Sequence, residues 1–472
     1  MADADTKLGK AFSLGAHWWL PEKPDDKIYG TLRYLPDAAA ELTLEGSFNP
    51  ESANYLSNVT IYGSTPKGLG CTLSGAYQKV NTMHMPGITT SEFFGNRVFV
   101  GNEFIVPDVE TFESAAVEFS DLTSWLYRDP FSNKMGERIG GEKVWGVTYT
   151  VPKLLSHTAK SIQASIRFEP SITSYGEDQA RTLKHTDYVK FRPHKKQNFD
   201  WYLNTVSNFR LLLSFLVGEP VNLISFKLCT KKRRMIGRAE KKYYRNYIDV
   251  CIPFIRNDNP RKLYPPDILI PYPAVRKKFS RLLNDWYEKP TEITTACQLL
   301  FGVLLQKNIP VEFQFLALLQ ALEAFHRSKG TGRYVPDKAY IQIEDVLIKA
   351  IPKSVSSDHR AALKSRIKYG NEYSLRKRIS LILRSIGQSF RQKITQNDSK
   401  FVDRVVSTRN YLTHRDNSGG NNVLNYGEMA RYSDSLKVLL MALILNEFAF
   451  DFGSLERAMS SNFRFRNMLR IK

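Results

Sequence analysis

Residues 312–327 read EFQFLALLQALEAFHR, and their spacing decides the class of the C-terminal part of the chain. Large apolar side chains recur here at intervals of four, three and three residues: Phe315, Leu319, Leu322 and Phe325. That interval puts all of them on one face of an α-helix. The segment therefore predicts an amphipathic helix whose apolar face packs inside a helical domain.

The chain after residue 350 repeats this helical pattern. Further helices are predicted over residues 358–369, 374–394, 399–414 and 427–450. The first of these begins after Ser357 and ends at Gly370, which are typical helix-start and helix-stop residues. Four to five helices joined by short loops form a bundle.

The N-terminal part has a different pattern, in which apolar and polar residues alternate between turn residues. Such runs recur from residue 12 to about residue 195, at 28–34, 42–44, 59–61, 98–100, 144–150 and 162–168. Short alternating runs predict an antiparallel β-rich domain, either a sandwich or a strongly curved sheet. A helix over 199–217 that stops at Gly218 follows, and then strand-like runs at 221–229 and 246–252.

The predicted fold class is therefore α+β with several domains. Residues 1–270 are assigned to a β-rich antiparallel domain with a trailing α/β segment, and residues 311–472 to an all-α bundle. The proline-rich stretch PPDILIPYP at 265–273 interrupts regular structure. It opens a predicted linker over 271–310 that includes one helix, at 275–287.

Charge indicates the kind of partner. The 472 residues include 67 Lys and Arg against 47 Asp and Glu, a formal net charge of +20. That excess favours a polyanion, with nucleic acid first, although a generally basic soluble surface is the alternative. The four cysteines are far apart and lack disulfide or metal-site spacing, which predicts buried thiols in a cytoplasmic protein. Neither a signal peptide nor a membrane-spanning run is visible.

One hexapeptide, RNYLTH at 409–414, combines groups that could cleave a phosphodiester. Arg409 carries a permanent charge and can grip a phosphate with two N–H donors. His414 can exchange a proton near neutral pH. Asn410 lies one helical turn before His414 and could orient its imidazole. The alternative is a capped helix end with a satisfied histidine.

The position of Arg409 adds a second argument. It follows Val402 by seven residues and so falls on the apolar stripe of the predicted helix. A cation there is unfavourable unless it meets an anion, a partner or a subunit boundary. We therefore expect a composite site formed by two copies of the motif across a dimer. Glu323 could pair with Arg409, but a structural ion pair or a solvated position is the plainer interpretation.

Two other basic segments are candidates for binding RNA. Arg376, Lys377, Arg378 and Arg384, with Arg391 beyond them, could form a track for RNA or could simply be solvated. The segment KKRRMIGRAEKKYYR at 231–245 could grip RNA through charge and stacking, but a mobile hairpin loop is slightly favoured. Walker A, dinucleotide-binding and H-E-x-x-H patterns are absent from the sequence, so no cofactor and no metal are predicted.

Several segments in order resemble the ApeA-like proteins of the HEPN superfamily, which are bacterial anti-phage ribonucleases. The resembling helical segments are FLALLQALEAFHR at 315–327, YGNEYSLRKRI at 369–379 and STRNYLTHRD at 407–416. Near the N-terminus they are GAHWWLPEKPDDKIYGTLRYLP at 15–36 and LTLEGSF at 42–48. The resemblance touches both halves of the chain.

The resemblance implies a metal-independent endoribonuclease in abortive infection, acting as a homodimer through an R-x4-H motif. It implies Arg409, Asn410 and His414 as catalytic residues, RNA as substrate with transfer RNA as one candidate, and a phage protein as trigger. HEPN toxins controlled by a nucleotidyltransferase carry a tyrosine two residues after the histidine, and Asp416 stands there instead. The alternatives are a non-catalytic RNA-binding or dimerisation scaffold and, with less support, a basic DNA-binding regulator.

Overall fold

The computed structural model describes residues 6, 8–50, 55–139, 142–177, 179–236, 242–257, 261–306, 308–330, 332–414 and 417–469. The chain divides into two compact units, Met1–Tyr287 and Glu288–Lys472. The first unit is built mainly of antiparallel strands and the second of helices. The predicted fold class is therefore confirmed.

Strands dominate the described part of the first unit. They are β1 Phe12–Trp19, β2 Ile28–Tyr34, β3 Ala40–Leu44, β4 Val59–Ser64, β5 Gly70–Thr82, β6 Thr90–Gly95, β7 Arg97–Gly101, β8 Ser114–Phe119, β9 Phe131–Ile139, β10 Glu142–Tyr149, β11 Leu155–Ala159, β12 Ala164–Glu177, β13 Ala180–Pro193, β14 Leu223–Ile236 and β15 Lys242–Cys251. Within the described residues, thirteen of these strands form one antiparallel sheet in the order β11-β12-β13-β8-β14-β15-β7-β5-β4-β1-β2-β3-β6. β9 and β10 pair separately as a hairpin.

The sheet closes on itself at one end. β5 pairs with β6 as well as with β4 and β7, so β5, β4, β1, β2, β3 and β6 form a closed ring. Trp18 is fully buried in β1, and its indole N–H donates to the carbonyl of Gly30 at 3.0 Å. A Cβ at Gly63 would lie 2.4 Å from the Trp18 ring, so only glycine fits there. This closure is the strong curvature that the alternating pattern predicted.

The helices of the first unit are α1 Leu122–Leu126, α2 Phe199–Val217, α3 Tyr272–Val275 and α4 Phe279–Tyr287. The predicted limits of α2 are confirmed. Asn198 caps its start by accepting a hydrogen bond from the Trp201 amide, and Gly218 ends it with φ +89°. The four cysteine thiols of the chain are buried, as predicted.

The helices of the second unit are α5 Thr291–Leu305, α6 Val311–Arg327, α7 Asp337–Lys349, α8 Ser357–Lys368, α9 Leu375–Arg384, α10 Gln388–Thr395, α11 Asp398–His414, α12 Tyr426–Glu447, α13 Phe452–Ser461 and α14 Phe463–Met468. α6, α8 and α11 start and end within one residue of their predicted limits. α12 is buried nearly all round over its second half and packs against α5 and α6. It forms the centre of the bundle.

Several helix predictions need correction. The single helix predicted over 374–394 is two helices, α9 and α10, because the chain turns at Ser385 and Gly387. The Ser385 hydroxyl donates to the carbonyl of Ile382 at 2.7 Å, and Gly387 is the N-cap of α10. The sequence pattern did not predict α5, α7, α13 or α14. The predicted linker over 271–310 contains α3, α4 and α5 rather than one helix. None of the described helices could cross a membrane, because none is both long and apolar enough.

Candidate active site on helix α11

Packing against α12 fixes the position of α11. Phe401, Val402, Val405 and Thr408 form the buried face of α11. The Phe401 ring stacks on Tyr432 of α12, with centroids 5.1 Å apart and planes 7° apart. This contact orients the helix that carries the RNYLTH motif.

A bidentate ion pair joins the same two helices. The Arg404 guanidinium donates to both carboxylate oxygens of Glu428, at 2.8 and 2.6 Å. These hydrogen bonds lower the pKa of Glu428. Glu428 also closes a capping box with Asn425 at the start of α12. One carboxylate therefore caps α12 and holds α11.

The returning chain holds the C-terminal end of α11. The Thr408 hydroxyl is fully buried and accepts a hydrogen bond from the Leu424 amide at 2.9 Å. Between these residues lies a short 3-10 helix, Asn417–Asn422, in which Gly420 adopts φ +47°. That segment contains the turn predicted at 419–422. Thr408 therefore fixes the chain directly next to Arg409.

The structure places Arg409, Asn410 and His414 on the last turns of α11. Arg409 is half-buried, and its Nη1 lies 3.4 Å from Oδ1 of Asn410, which accepts the hydrogen bond. His414 is the last residue of the helix and is exposed. The predicted hydrogen bond between Asn410 and His414 is not formed in the described part of the chain.

The charge of Arg409 is not neutralised by any described carboxylate within ion-pair distance. Glu323, considered as its partner, is half-buried on α6 and makes no ion pair with it. Asp416, the position that argues against control by a nucleotidyltransferase, lies outside the described residues. Arg409 thus presents a cation that donates to a neutral amide. Such a group is available to bind an anion.

The basic residues of α9 do not form one track. Arg376 pairs with Asp403 of α11, Lys377 lies 5.9 Å above the Tyr373 ring, and Arg384 is exposed. Arg378 is only 4% exposed: its Nε donates to the carbonyl of Tyr373 at 3.0 Å. The burial of Arg378 argues against the prediction that it binds RNA, because the turn of the helix points its side chain into the bundle.

A cavity of about 310 Å³ lies between α9 and α11. It is lined by Arg376, Ser380, Leu383, Arg384, Asp398, Ser399 and Val402. The polar α9 residues of the lining follow one another at intervals of four, so they share a face of that helix. Val402 lies seven residues before Arg409, about 10 Å along the same face of α11. The cavity and the motif arginine therefore share one side of the helix.

The basic segment 231–245 is more regular than the sequence analysis expected. Residues 231–236 continue β14 and residues 242–245 begin β15, and the two strands pair in antiparallel register. Residues 237–241 lie outside the described residues. The interpretation as a loop is thus corrected for the described part, which is a hairpin extension of the sheet.

Arg404, Glu428 and Thr408 were missed by the sequence analysis. The N-x-x-E spacing of Asn425 and Glu428 was an available signal, because it is a capping-box pattern before an apolar run. The burial of Thr408 had no such signal.

In the part of the chain that the structure describes, no group of three or more His, Cys, Asp or Glu side chains could hold a metal ion.

Comparison with known families identifies both units. The model of ApeA N-terminal domain 1 matches residues 14–286, and the model of the Apea-like HEPN domain matches residues 316–452. The chain belongs to the ApeA family of HEPN proteins, which are anti-phage effectors whose HEPN domains are typically nucleases. Searches of curated proteins and of solved structures gave no match.

Proposed function

We propose that this chain is a metal-independent endoribonuclease that acts in anti-phage defence by abortive infection. The observation that carries the proposal is the state of Arg409. Its half-buried guanidinium donates to a neutral amide and has no carboxylate partner among the described residues, and exposed His414 lies just beyond it. A phosphate would supply the anion that Arg409 lacks.

The proposed reaction uses the ribose as nucleophile. One His414 imidazole takes the proton from the 2′-hydroxyl, whose oxygen attacks the adjacent phosphorus, and the bond to the 5′ oxygen breaks. A second His414 gives a proton to the departing 5′ oxygen, and Arg409 stabilises the extra negative charge. General acid–base catalysis of this kind contributes about 10²–10⁴-fold. The products are a 2′,3′-cyclic phosphate and a 5′-hydroxyl.

The geometry of α11 supports a dimeric site. Arg409 and His414 are five residues apart, which is about 140° around the helix and about 7.5 Å along it. One copy therefore presents the two groups in different directions, and a second copy would supply the second histidine.

Adding an excess of His414→Ala protein should then suppress the activity of the unmodified protein after subunits exchange. Unchanged activity would argue for a site contained in one copy.

The cavity between α9 and α11 supports a path for the RNA backbone that leads to Arg409. Arg376 and Arg384 lie on the cavity wall, and Val402 connects it to the face that carries Arg409. A phosphate backbone lying there would reach the motif along one side of α11.

DNA lacks the 2′-hydroxyl and should not be cut. Transfer RNA is one candidate target. A phage protein is the proposed trigger, with the first unit sensing it or restraining the nuclease.

One observation favours a second candidate, a non-catalytic RNA-binding or dimerisation scaffold. In the described structure Asn410 accepts from Arg409 and makes no hydrogen bond to His414, so it does not orient the imidazole there. A scaffold needs no oriented imidazole, so it predicts that replacing His414 changes nothing except local stability. A nuclease requires Asn410 or the substrate to orient the imidazole once RNA is bound.

The test is cleavage of total bacterial RNA in EDTA. Arg409→Ala and His414→Ala should each lower the rate at least about a hundredfold. The matched controls are Lys400→Ala, exposed on the same helix, and His359→Ala, exposed on α8; both should cut normally. If purified protein does not cut, lysate of phage-infected cells is added to supply the trigger. Equal cutting by His414→Ala and the unmodified protein, or no cutting even with that lysate, contradicts the proposal.

A further inference from the structure

A short antiparallel bridge joins two segments of the second unit just before α9. The Tyr334 amide donates to the Asn371 carbonyl at 2.9 Å. The Tyr373 amide donates to the Gly332 carbonyl at 2.7 Å. The Asn371 side chain is 5% exposed, and it accepts from the Val335 amide at 3.0 Å and donates to the Val335 carbonyl at 2.9 Å. These hydrogen bonds fix the backbone that carries Tyr334 and Tyr373.

The bridge presents tyrosine rings to solvent. Tyr334 is 53% exposed, and its ring meets the Tyr373 ring edge to face, with centroids 4.9 Å apart. Tyr369 is 61% exposed and is held beside this pair by a tight turn, because its carbonyl accepts from the Glu372 amide at 3.1 Å. We call Tyr334, Tyr369 and Tyr373 the tyrosine patch.

Each tyrosine of the patch has a basic neighbour. The pairs are Arg333 with Tyr334 and Lys368 with Tyr369, adjacent in the sequence, and Lys377 with Tyr373, where Nζ lies 5.9 Å from the ring centroid. Among the described residues, Lys368 and Lys377 make no ion pair with a carboxylate. Their charges are therefore available to phosphates.

The acids around the patch do not cancel its charge. Residues 326–335 and 368–378 contain seven Lys and Arg and one acid, Glu372. Three acids from neighbouring elements pair with cations of this group: Asp337, Asp403 and Glu447. Seven cations therefore face four acids, which leaves a net charge of +3. Ion pairs at a solvated surface are weak, so a phosphate can replace a carboxylate there.

We propose that the tyrosine patch stacks on unpaired bases of RNA, so that the substrate class is single-stranded RNA or the loops of folded RNA. The inference rests on the proposed function. Sites that bind single strands combine cations, which contact phosphates, with aromatic rings, which stack on bases. In a duplex the bases are stacked on one another and offer no free face to a tyrosine. The bridge holds the rings in place before RNA binds, which lowers the entropy cost of binding.

The position of the patch suits a strand that also reaches the motif. Tyr373 directly precedes Ser374, the N-cap of α9. Arg376, on the first turn of α9, lines the cavity between α9 and α11. A strand stacked on the patch can therefore continue along α9 into that cavity, on the side of α11 that carries Arg409.

The test measures binding separately from cleavage. The full chain carrying His414→Ala is titrated with fluorescent oligouridylate and with a ribose-phosphate chain of equal length that lacks bases. We expect oligouridylate to bind at least about fivefold more tightly than the chain without bases. Adding Tyr334→Ala should remove most of this difference, and Tyr334→Phe, which keeps the ring, should preserve it. Tyr369→Ala, outside the bridge, repeats the test if Tyr334→Ala does not fold.

The matched control is Tyr264→Ala in the first unit. Tyr264 is 56% exposed and has Nζ of Lys262 5.2 Å from its ring centroid, so it shares the chemistry of the patch but not its place. This variant should bind oligouridylate normally. Salt dependence separates rings from charges. Lys377→Ala should reduce the slope of log affinity against log salt by about 0.7, the value for one phosphate contact, whereas Tyr334→Ala should leave the slope unchanged.

The inference would be overturned by three results. They are no RNA binding, an equal loss for both probes in the Tyr334→Ala protein, and unchanged oligouridylate binding by that protein. The last result would assign the patch to a protein partner. Failure of the nuclease proposal looks different, because RNA would then be bound through the patch but never cut. A protein that cuts RNA and binds it equally well without Tyr334 would lose only this inference.

Discussion

Nη1 of Arg378 lies 3.2 Å from Nδ1 of His326, so a permanent cation contacts an imidazole at the junction of α9 and α6. Burial lowers the pKa of His326, and the nearby Arg378 lowers it further. The imidazole is therefore neutral in the folded protein near pH 7 and can accept a hydrogen bond from the guanidinium.

This contact predicts acid sensitivity of the helical unit. Below pH 6.5 the unfolded chain protonates His326 more readily than the folded chain does, so the free energy of unfolding falls as the pH drops. His326→Gln should flatten this dependence between pH 7 and pH 5, because glutamine keeps an acceptor but does not titrate. Urea unfolding across that range measures the effect. Parallel curves for both proteins would contradict it. The pKa of His157 in the first unit is also lowered by burial, and it should leave a residual slope.

Arg378 and Arg384 should behave oppositely although both lie on α9. Arg378→Ala removes buried hydrogen bonds and should lower the free energy of unfolding by about 2 kcal/mol. Arg384→Ala is a surface change that should stay within about 0.5 kcal/mol but weaken RNA binding. Thermal unfolding and RNA titration separate the two effects. A stable Arg378→Ala protein with lost RNA binding would restore the original interpretation of that residue.

Glu428 should stabilise the motif helix through charge. Glu428→Gln keeps the capping box but loses the ion pair with Arg404, and should lower the free energy of unfolding by about 1–2 kcal/mol. Because its pKa is lowered in the folded state, the stabilisation is present above the ordinary carboxyl pKa and disappears as the pH falls through the folded value. Asp345→Asn in the exposed pair with Lys349 should change stability by less than about 0.5 kcal/mol. Equal effects of the two changes would refute this account.

Thr408 should matter through its buried hydroxyl. Thr408→Val keeps the shape but leaves the Leu424 amide without its acceptor, which costs about 1–3 kcal/mol. Thr413→Val is the matched control, because that hydroxyl is exposed and bonds only within α11. Denaturant unfolding should show a lower midpoint for Thr408→Val alone. A loss of equal size in the control would mean that the buried hydrogen bond is unimportant.

The sequence predicted elements whose signals are local. α2 is correct to the residue because a capping asparagine and a terminal glycine bracket its apolar pattern. The closed ring was predicted only as a sandwich or a strongly curved sheet, since the pairing of β5 with β6 depends on contacts between distant residues. α5 was missed because residues 296–305 are apolar at every position except Gln298, so no amphipathic pattern marks the helix.

In the candidate site, too, only features with a local sequence signal were predictable. The spacing of Arg409 and His414 is visible in the sequence, and so is the basic run of α9. The burial of Arg378 is not visible, because it depends on contacts with His326 of α6 as well as with Glu372, six residues before it. The hydrogen bond of Asn410 with Arg409 depends on side-chain conformation, which a one-turn spacing does not fix.

We propose that His414 and Arg409 cleave RNA through its 2′-hydroxyl without a metal. The most direct measurement is end-group analysis of RNA cut by the activated protein in EDTA, using one oligonucleotide with ribose and one with 2′-deoxyribose at the cut position. We predict 2′,3′-cyclic phosphate and 5′-hydroxyl ends, no cleavage of the deoxy substrate, and no product with His414→Ala. A 5′-phosphate product, cleavage of the deoxy substrate or full activity of His414→Ala would contradict the claim.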